Sequence, residues 1–251
     1  MFTPEERALL RTDLLKRATN DPRISGVAIT GSAAVEREDQ WSDIDLAFGI
    51  NDTAELSEVL SDWTAFMYNR YLALHHLDVV SGAWTYRVFL LPNTLQVDLA
   101  FVFATEFRAL ATTFRLIYGT ANMPRHALPS SPLNLIGLGW LYALHARNSL
   151  ARQNWWQAEY MISGIRDHAL ALACIRHGLP AVHGRGIDLL PSEEVGHFEG
   201  SLVQNLSKTE LLRAFQFVTR RLLSEIRSVD EELAGRLEKV LTFLTEDEVT
   251  G

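Results

Sequence analysis

Apolar positions follow two regimes along the 251-residue chain. Up to about residue 125, segments with a helical repeat alternate with segments that switch every second residue; beyond it the helical repeat takes over. Leu9, Leu10, Leu14 and Leu15, opened by Thr3 and Pro4, predict an amphipathic first helix. Residues 26–30 (GVAIT) read as a short strand closed by Gly31, and residues 44–50 (IDLAFGI) as a second. Asp52 or Thr53 is then expected to cap a helix reaching about Tyr68. Strands are predicted over 72–80, 85–91 and 95–103, and the short turns at Ser81-Gly82 and Pro92-Asn93 imply antiparallel neighbours. Long helical runs follow at 133–152, 155–177, 208–228 and 230–245. Residues 122–132 (NMPRHALPSSP) have linker composition, and 178–194 is the one extended loop among the later helices. The pattern therefore predicts an α/β (α+β) chain, with a mixed-sheet domain over 1–125 and an all-α helical bundle over 126–251.

Composition narrows the chemistry. With 47% apolar and 22% charged residues, a core large enough to need no covalent staple is expected. The single cysteine, Cys174, rules out an internal disulfide and a thiolate zinc site, and fits a reducing, cytoplasmic location. The first twenty residues mix charge with leucine, unlike a signal peptide, and no run approaches the length of a membrane span. A net charge of −8, with neither half basic, argues against a nucleic-acid track and leaves small cationic molecules electrostatically acceptable. None of the three lysines, Lys16, Lys208 and Lys239, follows a glycine, which excludes the GxxxxGK[ST] phosphate loop. The glycine pairs at 137/139 and 184/186 lack the third glycine of a dinucleotide fingerprint, and no GxSxG elbow is present.

Candidate chemistry gathers on the early strands. Asp43 and Asp45 flank Ile44, so the alternation of a strand sends both carboxylates to one face and the isoleucine to the other. Like charges held this way repel unless a cation sits between them. Asp98 interrupts the otherwise apolar segment 95–103, which is expected to lie beside the Asp43 strand. Three carboxylates suit magnesium, and two ions are within their capacity.

Gly31-Ser32, then Ser42-Asp43-Ile44-Asp45-Leu46, then Asp98 on a later strand together resemble the GS…DxD…D signature of nucleotidyltransferases of the DNA polymerase beta superfamily, over about residues 20–105. The sheet-then-bundle arrangement is similar to the small-molecule branch, the aminoglycoside and lincosamide nucleotidyltransferases involved in antibiotic resistance. The resemblance implies transfer of a nucleoside monophosphate, AMP from ATP, to a hydroxyl of a small molecule, with release of pyrophosphate. It also implies two Mg2+ ions on Asp43, Asp45 and Asp98, and an NTP triphosphate on Gly31 and Ser32. Backbone amides at such a glycine turn and the Ser32 hydroxyl are suited to phosphate oxygens. One position departs: the family's second glycine, four residues past the serine, is Glu36 here, and it is expected to point outward.

In the bundle, Glu159, Ser163 and Arg166 form one polar stripe. Glu159 is the first candidate for general base, with Glu106 as its rival, and Arg166 and the glycine-flanked Arg185 are candidate triphosphate clamps. His75 and His76 point to opposite faces and make no metal pair; His145, His168 and His177 read as structural, and Trp140, Trp155 and Trp156 as bundle core. Two alternatives stay open: a nucleotidyltransferase with a protein or RNA acceptor, and a non-catalytic nucleotide-binding regulator on the same fold.

Overall fold

A computed structural model describes residues 1–126 and 130–246; positions 127–129 of the expected linker lie outside the described residues. The chain divides into two compact units, Met1–Ala127 and Leu128–Gly251. It is a mixed α/β protein, with a six-stranded mixed sheet in the first unit and helices alone in the described part of the second. No helix among the described residues is long and apolar enough to cross a membrane.

The first unit starts with α1 (Pro4–Asn20), whose entry is fixed by a reciprocal cap. The Thr3 amide donates to Glu6 Oε2 at 2.9 Å, and the Glu6 amide donates to Thr3 Oγ1 at 3.2 Å. Leu10, Leu14 and Ala18 turn inward, while Leu9, expected on the same stripe, is 72% exposed. Strand β1 (Ile24–Thr30) leads into α2 (Gly31–Ala34), followed by β2 (Ile44–Ile50) and α3 (Leu56–Tyr71). Helix α3 begins after Glu55, later than Asp52 or Thr53, because residues 51–54 close a turn in which the Ala54 amide bonds the Asn51 carbonyl at 2.9 Å. It ends where Leu72 takes a left-handed φ of 54°, which delays the next strand, β3 (His75–Ser81). Strands β4 (Trp84–Leu90), β5 (Gln96–Phe103) and β6 (Phe114–Gly119) complete the sheet in the order β3-β4-β5-β2-β1-β6. All neighbours are antiparallel except β2 and β5, which run parallel.

Alternation separates the faces of the central strands. Ile44, Leu46, Phe48 and Ile50 of β2, with Val97, Leu99 and Phe101 of β5, join Leu10 and Leu14 of α1 and Trp63 and Met67 of α3 in one buried cluster. The Phe48 ring centroid lies 4.8 Å from that of Trp63 and 5.3 Å from that of Phe101. The opposite face carries small residues, Ala28, Ala47 and Ala100, in a second cluster with Trp84 and Phe107. Gly49 belongs there because a Cβ would sit 2.9 Å from the Phe107 ring. That face also carries the acids.

Arg7, only 5% exposed, ties α1 to the loop before β2. Its Nη1 donates to the carbonyls of Asp39 at 2.6 Å and Ser42 at 2.8 Å, and its Nε stands 3.1 Å from Glu38. Arg7→Met strips two part-buried carbonyls of their donor and leaves Glu38 with Arg11 as its remaining cation, and is expected to cost about 1–3 kcal/mol in urea unfolding. Unchanged stability would remove Arg7 from the account of this loop.

The second unit comprises α4 (Pro132–Ala151), α5 (Trp155–Arg176), α6 (Ser192–Glu199), α7 (Lys208–Val229) and α8 (Glu231–Leu244). Ile162, Ile165 and Ala169 of α5 meet Leu211, Phe215, Val218 and Leu222 of α7 in its core. Arg176 bonds Glu194 at 2.6 Å and Glu225 at 3.1 Å, joining α5, α6 and α7. The reading of Trp156 as core is corrected: it is 77% exposed, because α5 turns Ala158 and Ile162 inward and carries residue 156 away from that stripe. Trp140 is half-exposed, and Trp155 packs partly against the core. The expected extended loop ends sooner than 194, since α6 starts at Ser192.

Candidate active site

The register of the parallel pair sets the site. Ile44 is paired with Val97, Asp45 with Asp98 and Ala47 with Ala100. Since Ile44, Leu46, Val97 and Leu99 face the helices, the alternate positions face the other way. Asp45 and Asp98 therefore stand side by side on adjacent strands, whose usual spacing is about 4.8 Å. Asp43, one residue before β2, continues the row opposite Gln96, and Gln96 Nε2 donates to Asp43 Oδ2 at 3.1 Å. The result is a ladder of facing residues, 43 with 96, 45 with 98 and 47 with 100.

Asp98 stands in an unfavourable electrostatic position. Its Oδ1 is buried and has no hydrogen-bond partner. Burial first, and the charge of Asp43 second, push its carboxyl from the ordinary 3.8 up to about 6. The same buried charge helps raise the Tyr86 phenol on β4, where burial is the larger cause.

Gly31 closes β1 in a left-handed conformation, φ 64°, against the second acid. A Cβ there would lie 2.0 Å from Asp45 Oδ2 and 2.9 Å from its Cγ. Only glycine combines that backbone with that approach. Gly31→Ala is accordingly expected to displace the Asp45 carboxylate and to destabilise the fold by about 1–3 kcal/mol, read as a lower denaturant midpoint; an unaltered midpoint would contradict the close approach. Ser32 follows in α2, and its carbonyl accepts from the amides of Val35 at 3.3 Å and Arg37 at 3.0 Å, which curls the chain over the strand end. Glu36 is exposed and itself adopts φ 57°. The backbone thus keeps a glycine-like turn with the carboxylate facing solvent.

The structure brings Gly31, Asp43, Asp45 and Asp98 to one end of one sheet face, with Ser32 next in the chain. Even so, among the described residues no group of three or more His, Cys, Asp or Glu side chains is gathered so that it could hold a metal ion as it stands. Asp43 is turned onto Gln96 instead. Gln96 is the residue that sequence reasoning passed over; its signal was parity, two residues before Asp98 on the same strand face. Glu106, in the turn after β5, pairs with Arg108 at 3.2 Å.

Glu159, Arg166 and Arg185 belong to the second unit. Glu159 Oε1 accepts from Ser163 Oγ at 2.6 Å, one turn along α5. Arg166 Nε lies 3.9 Å from Asp167. Arg185 is exposed, in a turn held by its amide bond to the Val182 carbonyl at 3.2 Å, with Gly184 at φ 72°. His168 Nδ1 lies 2.5 Å from the Gly164 carbonyl, and His177 Nε2 lies 3.1 Å from Glu194, consistent with structural histidines.

No family model and no curated protein matches the chain. Among solved structures it is similar to an aminoglycoside 6-adenyltransferase from Bacillus subtilis, at 14% identity and a TM-score of 0.43, over 98% of this chain and 100% of that one. A likeness this distant carries no chemistry across.

Proposed function

We propose that this protein is a metal-dependent nucleotidyltransferase, moving a nucleoside monophosphate from a nucleoside triphosphate, ATP first among them, to the hydroxyl of a small molecule. The observation that carries the reading is the pairing of Asp45 with Asp98, with Gly31 pressed against Asp45. A sheet does not keep neighbouring carboxylates on one face, one of them with a buried oxygen that has no donor, at no cost. The donor set fits a hard divalent cation: carboxylate oxygens are what magnesium takes, and Asp98 Oδ1 lacks any other partner. Asp43 would exchange the Gln96 amide for the ion. Bound there, magnesium would neutralise charge on the α-phosphate and on the departing pyrophosphate.

The remaining roles fall to the chain itself. Backbone amides after Gly31 and the Ser32 hydroxyl bind phosphate oxygens. In the reaction, the acceptor oxygen bonds to the α-phosphorus, the bond to pyrophosphate breaks, and the hydroxyl proton is released to solvent. The reading rests on the first unit alone; Glu159, Arg166 and Arg185 carry no step in it.

The test is mass spectrometry of a mixed pool of antibiotics and metabolites after incubation with each nucleoside triphosphate and Mg2+. An acceptor heavier by one nucleotidyl group (a nucleoside monophosphate less water), formed with pyrophosphate and lost on chelation, is expected. No adduct with any triphosphate, or one indifferent to chelation, would contradict the proposal.

A further inference from the structure

The ladder that holds the acids does not stop at them. Ala47 and Ala100, paired two residues further along β2 and β5, floor a cavity of about 140 Å³ on the same face. Its lining includes Trp84, Tyr86, Phe114 and Thr30. The Trp84 and Tyr86 rings are stacked, with centroids 6.0 Å apart and planes 27° apart. No carboxylate is among its lining residues. Its one cation, Arg108, is balanced by Glu106 at 3.2 Å and donates to the Thr105 carbonyl at 2.8 Å. An apolar cavity of about 150 Å³ is large enough to take up benzene. The space beside the acids is therefore shaped for one ring and is close to electrically neutral.

Position assigns the ring to one substrate. The Gly31 turn lies at the start of β2, because β1 runs antiparallel to it with Ile29 facing Leu46. Ala47 and Ala100 lie on the other side of the acids, about 6–7 Å along the strands from Asp45 and Asp98. In phosphoryl transfer the attacking and leaving oxygens are roughly in line across the phosphorus. A pyrophosphate leaving toward Gly31 and Ser32 thus requires an acceptor arriving from the alanine side.

We propose that this cavity seats the acceptor, and that the acceptor carries a compact, uncharged ring next to its reacting hydroxyl. The inference rests on the transfer reading and deepens it. A polyammonium sugar calls for carboxylates around it, and this lining has none. Ala47 and Ala100 determine specificity by being small, since a larger side chain at either would fill the ring's place.

Benzyl alcohol, a ring with a primary hydroxyl, is the probe. Saturation-transfer NMR on the full chain is expected to show it bound to the parent, with affinity reduced at least tenfold in both Ala100→Leu and Ala47→Val. Two variants guard against one failing to fold, and a thermal melt of each confirms a native state. Calorimetry with ATP and Mg2+ on the parent separates the two proposals. If the parent binds ATP but the benzyl alcohol signal is absent, or persists in both variants, the cavity inference is overturned and the transfer reading stands. If the ring signal is lost in both variants while no triphosphate binds, the cavity is upheld as a ring site and the transfer reading falls.

Discussion

Asp98→Asn yields a protein that is more stable than the parent at pH 7.5 in chelator, and inactive. The Asp98 carboxyl ionises near 3.8 in an unfolded chain and at about 6 in the fold, so folding in that interval takes up a proton. The fold then bears no cost from this group below the unfolded value. As pH rises through about 6 the stability falls, by a ceiling of ~3 kcal/mol. Asparagine removes the charge but leaves a buried amide to satisfy, which reduces the gain to about 1–2 kcal/mol. Scanning calorimetry is expected to show the variant melting roughly 5 °C higher at pH 7.5, with the gap closing toward pH 4. Added Mg2+ stabilises the parent and not the variant. A variant no more stable than the parent at pH 7.5 would mean that Asp98 is solvated or already paired.

Asp45→Asn leaves the fold intact and reduces turnover at least a thousandfold. Asparagine has the same shape, so it keeps its place against Gly31 and beside Asp98. What it loses is a full negative charge where the proposed reaction concentrates positive charge. Losses of 10²–10³ attend removal of a single stabilising dipole in other enzymes, and a carboxylate ligand is asked for at least as much. Pyrophosphate release at saturating ATP measures it, with circular dichroism to confirm the fold. Turnover within tenfold of the parent would remove Asp45 from the chemistry.

The acids were legible in the sequence because chemistry and periodicity coincide there. IDLAFGI alternates cleanly enough to fix which face Asp45 takes, and Asp98 stands out as the one charge in an apolar strand. Other features left weaker marks. Strand β6 (FRLIYG) is an edge strand with Leu116, Ile117 and Tyr118 all exposed, so it lacks the alternation that burial on one face imposes. Helix α6 buries only Phe198, so it carries no apolar repeat to mark it as a helix. Helical spacing put Leu9 and Leu10 on one stripe, although adjacent residues lie about 100° apart and only Leu10 is buried. The cavity had no signature at all, since Ala47 and Ala100 act through side chains they lack, and only the pairing register sets them next to the acids. Gln96 has an ordinary polar side chain whose significance lies in facing Asp43.

The central claim is that Asp43, Asp45 and Asp98 share a divalent cation beside the Gly31 turn. A crystal structure with Mg2+ and a non-hydrolysable ATP analogue tests it directly. The account predicts carboxylate oxygens of all three residues at about 2.1 Å from bound ions, Asp43 released from Gln96, and the triphosphate on the Gly31-Ser32 amides. A bound analogue with Asp43 still on Gln96 and no ion at Asp45 and Asp98 would contradict it.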